Sequence, residues 1–142
     1  ACDVRYFDYE NTDGFGDTAG FDANGRVTGL GWQSVVSVHT GVQYRASRRL
    51  LLRLGYQYND NPIRANPVFF NASSPLIVQH VISTGLSYYL TDSLSLSLAY
   101  LHGFENRSTG AIHVPGAGPL PGTSVSSRIS ADALSAGLTL RY

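Results

Sequence analysis

The sequence predicts an all-β chain: an antiparallel up-and-down meander of about six strands, of the kind that builds part of a transmembrane β-barrel. Three observations carry this. Apolar and polar residues alternate with period two in one run after another, and the helical period never appears. The face between the apolar residues is made of Ser, Gly, Gln and Thr, with few of the charges a water-facing sheet carries. The connections alternate between tight turns and long stretches rich in Gly, Pro, Asn and Ser, the layout of a bacterial outer-membrane barrel.

Taken in order, "CDVRYFDY" opens the chain with β-rich character but imperfect alternation. The clearest run sets Val36, Val38, Thr40, Val42 and Tyr44 against Ser37, His39, Gly41, Gln43 and Arg45. After "RASRR" come Leu50, Leu52, Leu54, Tyr56 and Tyr58, interleaved with Leu51, Arg53, Gly55 and Gln57. The fourth strand sets Val78, His80, Ile82, Thr84, Leu86, Tyr88 and Leu90 against Gln79, Val81, Ser83, Gly85, Ser87 and Tyr89. Past the turn "TDS", Leu94, Leu96, Leu98 and Tyr100 alternate with serines and Ala99. The last strand runs through Leu134, Ala136, Leu138, Leu140 and Tyr142. Strands of this length suit the roughly 9–11 residues that cross a bilayer at a tilt. Long loops are expected near residues 11–31, 59–75 and 102–127, within one partial barrel spanning 1–142. Aromatics near the strand ends (Phe7, Tyr9, Trp32, Tyr44, Tyr56, Tyr58, Tyr88, Tyr100, Tyr142) are read as an interfacial girdle.

Composition narrows the function classes. Ten basic and ten acidic residues cancel, so no electrostatic footprint for nucleic acid exists. Charged residues make up 14% of the chain, against roughly 25% in an average soluble domain. No apolar run is long enough for a spanning helix, and no signal-peptide pattern opens the chain. Methionine is absent even at position 1, which reads as a processed or truncated product. The single cysteine, Cys2, reads as a small hydrophobe.

No pattern points to catalysis or a cofactor. The glycines of "NTDGFGDTAGFDANG" do not make a dinucleotide fingerprint. Its Asp13, Asp17, Asp22 and Asn24 are oxygen donors of the type Ca²⁺ takes, but the loop spacing with a closing Glu is missing, so an extracellular polar loop is the better reading. His39, His80, His102 and His113 show no metal-ligand spacing, and no Ser-His-Asp set has a nucleophile context. The sequons at Asn71 and Asn106 are idle loop sequences in this setting. Arg45, Arg53 and Gln57 share the polar face of one hairpin, where they either line a lumen or brace the wall. The Gly/Pro-punctuated segment "GAIHVPGAGPLPGT" reads as a surface loop placed to meet a hydrophobic molecule first.

At "LRLGYQYNDNPI" (Leu52 to Ile63) the chain resembles the FadL/TodX-type outer-membrane transport proteins. The carrying motif is an Arg-x-Gly-Tyr-x-Tyr strand that runs into an Asp/Asn-x-Pro loop. "SPLIVQHVISTGLSYYLTDSLSLSLAYLHGFENRS" resembles the next hairpin of that family, and "DALSAGLTLRY" its closing strand. The resemblance covers about residues 34–142 and implies a fourteen-stranded barrel with an N-terminal plug, of which this chain would supply the C-terminal strands. It implies passive transport of long-chain fatty acids or other hydrophobic compounds across the bacterial outer membrane, with outer-membrane lipid and a hydrophobic small molecule as partners. No enzyme activity and no cofactor is implied. Gln79 stands where several members have an Arg that could pair with a carboxylate, and a neutral amide cannot replace that pairing. Ser135, Gly137, Leu140 and Tyr142 resemble the assembly signal read by the barrel-insertion machinery. The alternative from another class is a small soluble or surface-bound β-sheet binding module.

Overall fold

A computed structural model describes residues 1–63, 66–73 and 75–141. Strands β1 (Cys2–Phe7), β2 (Val35–Arg45), β3 (Leu50–Asn59), β4 (His80–Tyr89), β5 (Leu94–Gly110) and β8 (Val125–Leu140) form one sheet. The sheet is an antiparallel meander in the order β1-β2-β3-β4-β5-β8. A separate hairpin, β6 (His113–Val114) with β7 (Gly118–Pro119), sits in the last long connection. A 3-10 helix, Asn66–Asn71, lies between β3 and β4.

Because side chains alternate, the register decides what each face carries. Val42 faces Leu54, which faces Thr84, then Tyr100 and Leu134. One level nearer the short turns, Tyr44, Leu52, Leu86, Leu98 and Ala136 form the next row. The result is a continuous apolar face, and none of the described residues covers it: Val42 is 65% exposed, Leu54 51% and Leu138 69%. An uncovered apolar face of this extent is unstable against water and matches hydrocarbon. No helix among the described residues is long and apolar enough to cross a membrane, so any crossing falls to these strands.

The opposite face carries Ser37, His39, Gln43, Arg53, Gln57, Ser83, Ser87 and Ser97, interspersed with glycine. Gly41 lies opposite Gly55, and a Cβ at Gly55 would stand 2.6 Å from Ser83 Oγ. Strand glycines of this kind are where sheets bend to close.

The two short turns share one device. Ser47 Oγ accepts the N–H groups of Arg49 and Leu50 (3.2 and 3.1 Å), and Thr91 Oγ1 accepts those of Ser93 and Leu94 (3.2 and 3.0 Å). A hydroxyl that bonds backbone two and three residues on holds a tight turn without glycine.

The strands flanking the last connection are longer than the alternation predicts. β5 has 17 residues and β8 has 16, so the connection shrinks to 111–124 from the expected loop near 102–127. The extra length follows a β-bulge between Gly103 and Asn106. Beyond it, pairing is held by polar side chains: Arg107 Nε donates to Ser126 Oγ (2.8 Å), and Arg128 sits 3.4 Å from Glu105. In so polar a segment Phe104, Val125 and Ile129 are too few to give a hydrophobic period.

The buried core lies in the long connections rather than between layers of sheet. Trp32, Ile63, Val68 and Ile77 are its centre, flanked by Tyr9, Leu30, Val125 and Ile129. The connection between β1 and β2 folds back on itself through Leu30 N–H to Gly14 O (3.0 Å), Gly31 N–H to Asp17 O (2.9 Å) and Trp32 N–H to Phe15 O (2.8 Å). Glycine is required there, since a Cβ on Gly16 would lie 2.0 Å from Glu10 O.

Candidate functional site

The polar face is a hydrogen-bonded surface. Arg53 Nε donates to Gln43 Oε1 (3.1 Å) and its Nη1 to Ser87 Oγ (2.8 Å), and Ser87 bonds Ser97 (2.7 Å). One guanidinium thereby ties β2, β3 and β4 together, and the serine pair extends the chain of bonds to β5. Farther up, Gln57 Nε2 donates to Asn59 Oδ1 (3.0 Å), which also accepts from Ser37, whose hydroxyl meets His39 Nε2 (2.7 Å). Arg45 stands apart at the turn end of β2. Gln79 lies outside the strands, its Oε1 taking a bond from Asn106 Nδ2 (2.9 Å). Of the four polar residues singled out in the sequence, Arg53 is a brace, Gln57 belongs to a second cluster, and Arg45 and Gln79 join neither.

Replacing Arg53 with Met should therefore destabilise the wall by about 1.5–3 kcal/mol, the worth of hydrogen bonds to a charged group. Arg45→Met should stay within about 0.5 kcal/mol. Guanidinium unfolding of the vesicle-inserted barrel measures both.

Above this face the long connections enclose apolar space. Phe7, Tyr9, Trp32, Val35, Leu76 and Val78 line a hollow of about 220 Å³ whose floor is Ser37 and Asn59. On the other side of Trp32 a second hollow of about 370 Å³ is lined by Phe15, Leu30, Phe70 and Leu76. A third, of about 460 Å³, lies where Trp32 meets Pro67, Ala111 and His113. Trp32 borders all three, is 6% exposed, and donates Nε1–H to Asn71 Oδ1 (2.6 Å). Asn71 spends its amide on Leu30 O (2.9 Å) and Pro67 O (2.8 Å), so this buried side chain is satisfied on both ends.

The aromatic reading of the sequence needs correction here. Tyr44, Tyr56, Tyr88 and Tyr100 do stand on the apolar face. Phe7 is on the polar face opposite Val35, and Tyr9 and Trp32 pack edge to face in the connections (5.1 Å between rings). They line the hollows and are no part of a girdle; tertiary contact, not strand-end position, decided their side. His113 of the Gly/Pro-punctuated segment packs on Phe70 (5.0 Å) and Phe69 (6.0 Å).

The acidic loop residues are used locally. Asp17 Oδ2 accepts Gly14 N–H (2.8 Å), and Asp22 Oδ1 accepts the N–H groups of Asn24 and Arg26 (both 2.8 Å). Hydrogen bonds from Asn11 and then Ser34 hold the Asp8 carboxyl below its usual range and pin the start of the loop to its end. On the apolar face, Asp132 accepts from Tyr100 and meets His102 Nδ1 (2.8 Å), at the level where the leucine rows stop.

The core residues Val68 and Ile77 were not singled out in the sequence, and Asn71 was read there only as a sequon. Their one signal is the apolar "PVFF" and "PLIV" inside a stretch otherwise composed like a surface loop.

An apolar face without a cover, a polar face rich in glycine and serine, and two unpaired edges define a sector of a transmembrane β-barrel wall. In hydrocarbon every backbone group must find a partner, so such a sheet exists only within a closed wall. A family model described as outer membrane protein transport protein (OMPP1/FadL/TodX) matches residues 5–142, and the chain belongs to that family. Membership places it in the bacterial outer membrane, in a class of transport proteins for hydrophobic compounds. No curated protein and no solved structure matches the chain.

Proposed function

We propose that this wall and its loops form part of a passive pathway for long-chain fatty acids or other hydrophobic compounds. A molecule enters among the long connections, which face outward in barrels of this kind. It passes the hollows that meet at Trp32 and leaves along the polar face, which lines the lumen with Arg45, Arg53, Gln57 and Gln79. No bond is made or broken and no nucleotide is consumed. The observation that carries the reading is the apolar hollow of about 220 Å³ opening above a polar wall braced by hydrogen bonds. The neutral Gln79, tied to Asn106, supports cargo without a carboxylate at that point. Ser135, Gly137 and Leu140, with Tyr142 outside the described residues, are proposed as the signal that engages the barrel-insertion machinery.

Uptake of labelled oleate and labelled toluene by cells carrying the intact barrel tests the pathway. Leu76→Glu puts a charge into two of the hollows. It should slow initial uptake by roughly tenfold, about 1.4 kcal/mol, because an apolar molecule seated there must strip water from the new carboxylate. Uptake unchanged by Leu76→Glu, in a barrel that still shows heat-modifiable migration, would refute the route.

A further inference from the structure

All ten cationic side chains of this protein are arginine, and four collect at the short-turn end of the sheet. Arg45 ends β2, Arg48 and Arg49 make the first short turn, and Arg141 follows β8, where its N–H bonds Ser93 O of the second turn (2.8 Å). With Tyr89 and Asp92 they line a hollow of about 630 Å³. Among the described residues Asp92 is the one carboxylate lining it, against four guanidiniums.

Four of the five other described guanidiniums are engaged within the chain, Arg26 being the exception. Arg5, Arg53, Arg107 and Arg128 each have a side-chain partner. Arg45, Arg48, Arg49 and Arg141 have no side-chain hydrogen bond or ion pair among the described residues. Four like charges held together without internal partners repel one another unless an external anion joins them.

The neighbouring apolar face says where that anion comes from. Tyr44 and Tyr88 stand on it at this end of the sheet, 67% and 41% exposed. Outward tyrosines at the end of an apolar band sit at headgroup level. The arginine hollow therefore lies at the height of lipid phosphates, within reach of long side chains that snorkel.

We infer that the rim made by Arg48, Arg49 and Arg141, with Arg45 at its lumenal edge adding positive potential, is a binding site for the phosphate of anionic phospholipid headgroups. The lipid belongs to the leaflet at the short-turn end, which in outer-membrane barrels is the periplasmic one. Guanidinium matches phosphate through paired, charge-assisted hydrogen bonds, and basic clusters at a bilayer surface select anionic lipids.

The test uses the intact barrel in phosphatidylcholine vesicles with spin-labelled phosphatidylglycerol or phosphatidylcholine as probe. Phosphatidylglycerol should associate roughly fivefold more strongly. The R48Q/R49Q/R141Q variant should bring the two lipids to parity while heat-modifiable migration persists. Asp92→Asn, a single surface change that covers the case of a triple variant failing to fold, should raise the preference. Equal association of both lipids with the unaltered barrel, or a preference that survives the triple substitution, overturns the site. A preference unmoved or lowered by Asp92→Asn does so as well. Inorganic phosphate added against chloride at equal ionic strength separates the two sources of phosphate. A preference that persists supports the headgroup, and one abolished by phosphate alone assigns the site to the free anion and overturns the lipid assignment.

Discussion

Leu98→Arg should cost about 2–4 kcal/mol of folding free energy in a bilayer, the depth-dependent cost of a guanidinium on the lipid face of a barrel. Leu98 lies between Leu86 and Ala136, in the middle of the uncovered apolar face. Thr139→Arg, on the other face of β8 and opposite Ser95, should cost under about 1 kcal/mol, since a charge there meets polar groups and water. Urea unfolding of the intact barrel in large unilamellar vesicles measures both. The contrast matters more than either value: equal costs would mean that the leucine face does not meet lipid.

Trp32→Ala is the second large effect. It removes a nearly buried indole from the only cluster of buried apolar residues among those described, and it leaves Asn71 Oδ1 without its donor. Loss of a buried Trp costs about 3–5 kcal/mol. Here the loss falls on the connections, because the strands are held by their own ladders and by the bilayer. The expected result is faster proteolysis and faster amide exchange over residues 8–34 and 66–73, with strand protection unchanged. Trp32→Phe keeps most of the ring and loses only the hydrogen bond, so about 1 kcal/mol is expected. If the loops stay protected in Trp32→Ala, the three hollows are not organised by this residue.

The wall was legible because its determinants are local. Whether Val42 and Leu54 share a face depends on period two within each strand, and the registers observed for β2 through β8 repeat that pattern without exception up to the bulge. The turns were legible for the same reason: Ser47 and Thr91 act on residues two and three positions away. The extensions of β5 and β8 were not, since strands whose apolar residues are as sparse as Phe104, Val125 and Ile129 look like loop until a partner is known. Nor were the hollows. Phe7, Tyr9 and Trp32 are aromatic in any reading, and only packing tells an interfacial ring from a buried one.

The sequence by itself therefore determined the strand meander, the two faces and their solvents, and the family to which the chain belongs. The tertiary structure decided which polar residue braces the wall, where the apolar loop residues gather, and that four arginines without a side-chain partner among the described residues meet at one rim. The physical reason is range. Alternation acts between residues two apart, whereas the bond from Trp32 to Asn71 spans 39 positions and that from Arg53 to Ser87 spans 34. Such contacts exist only once the strands between them have paired.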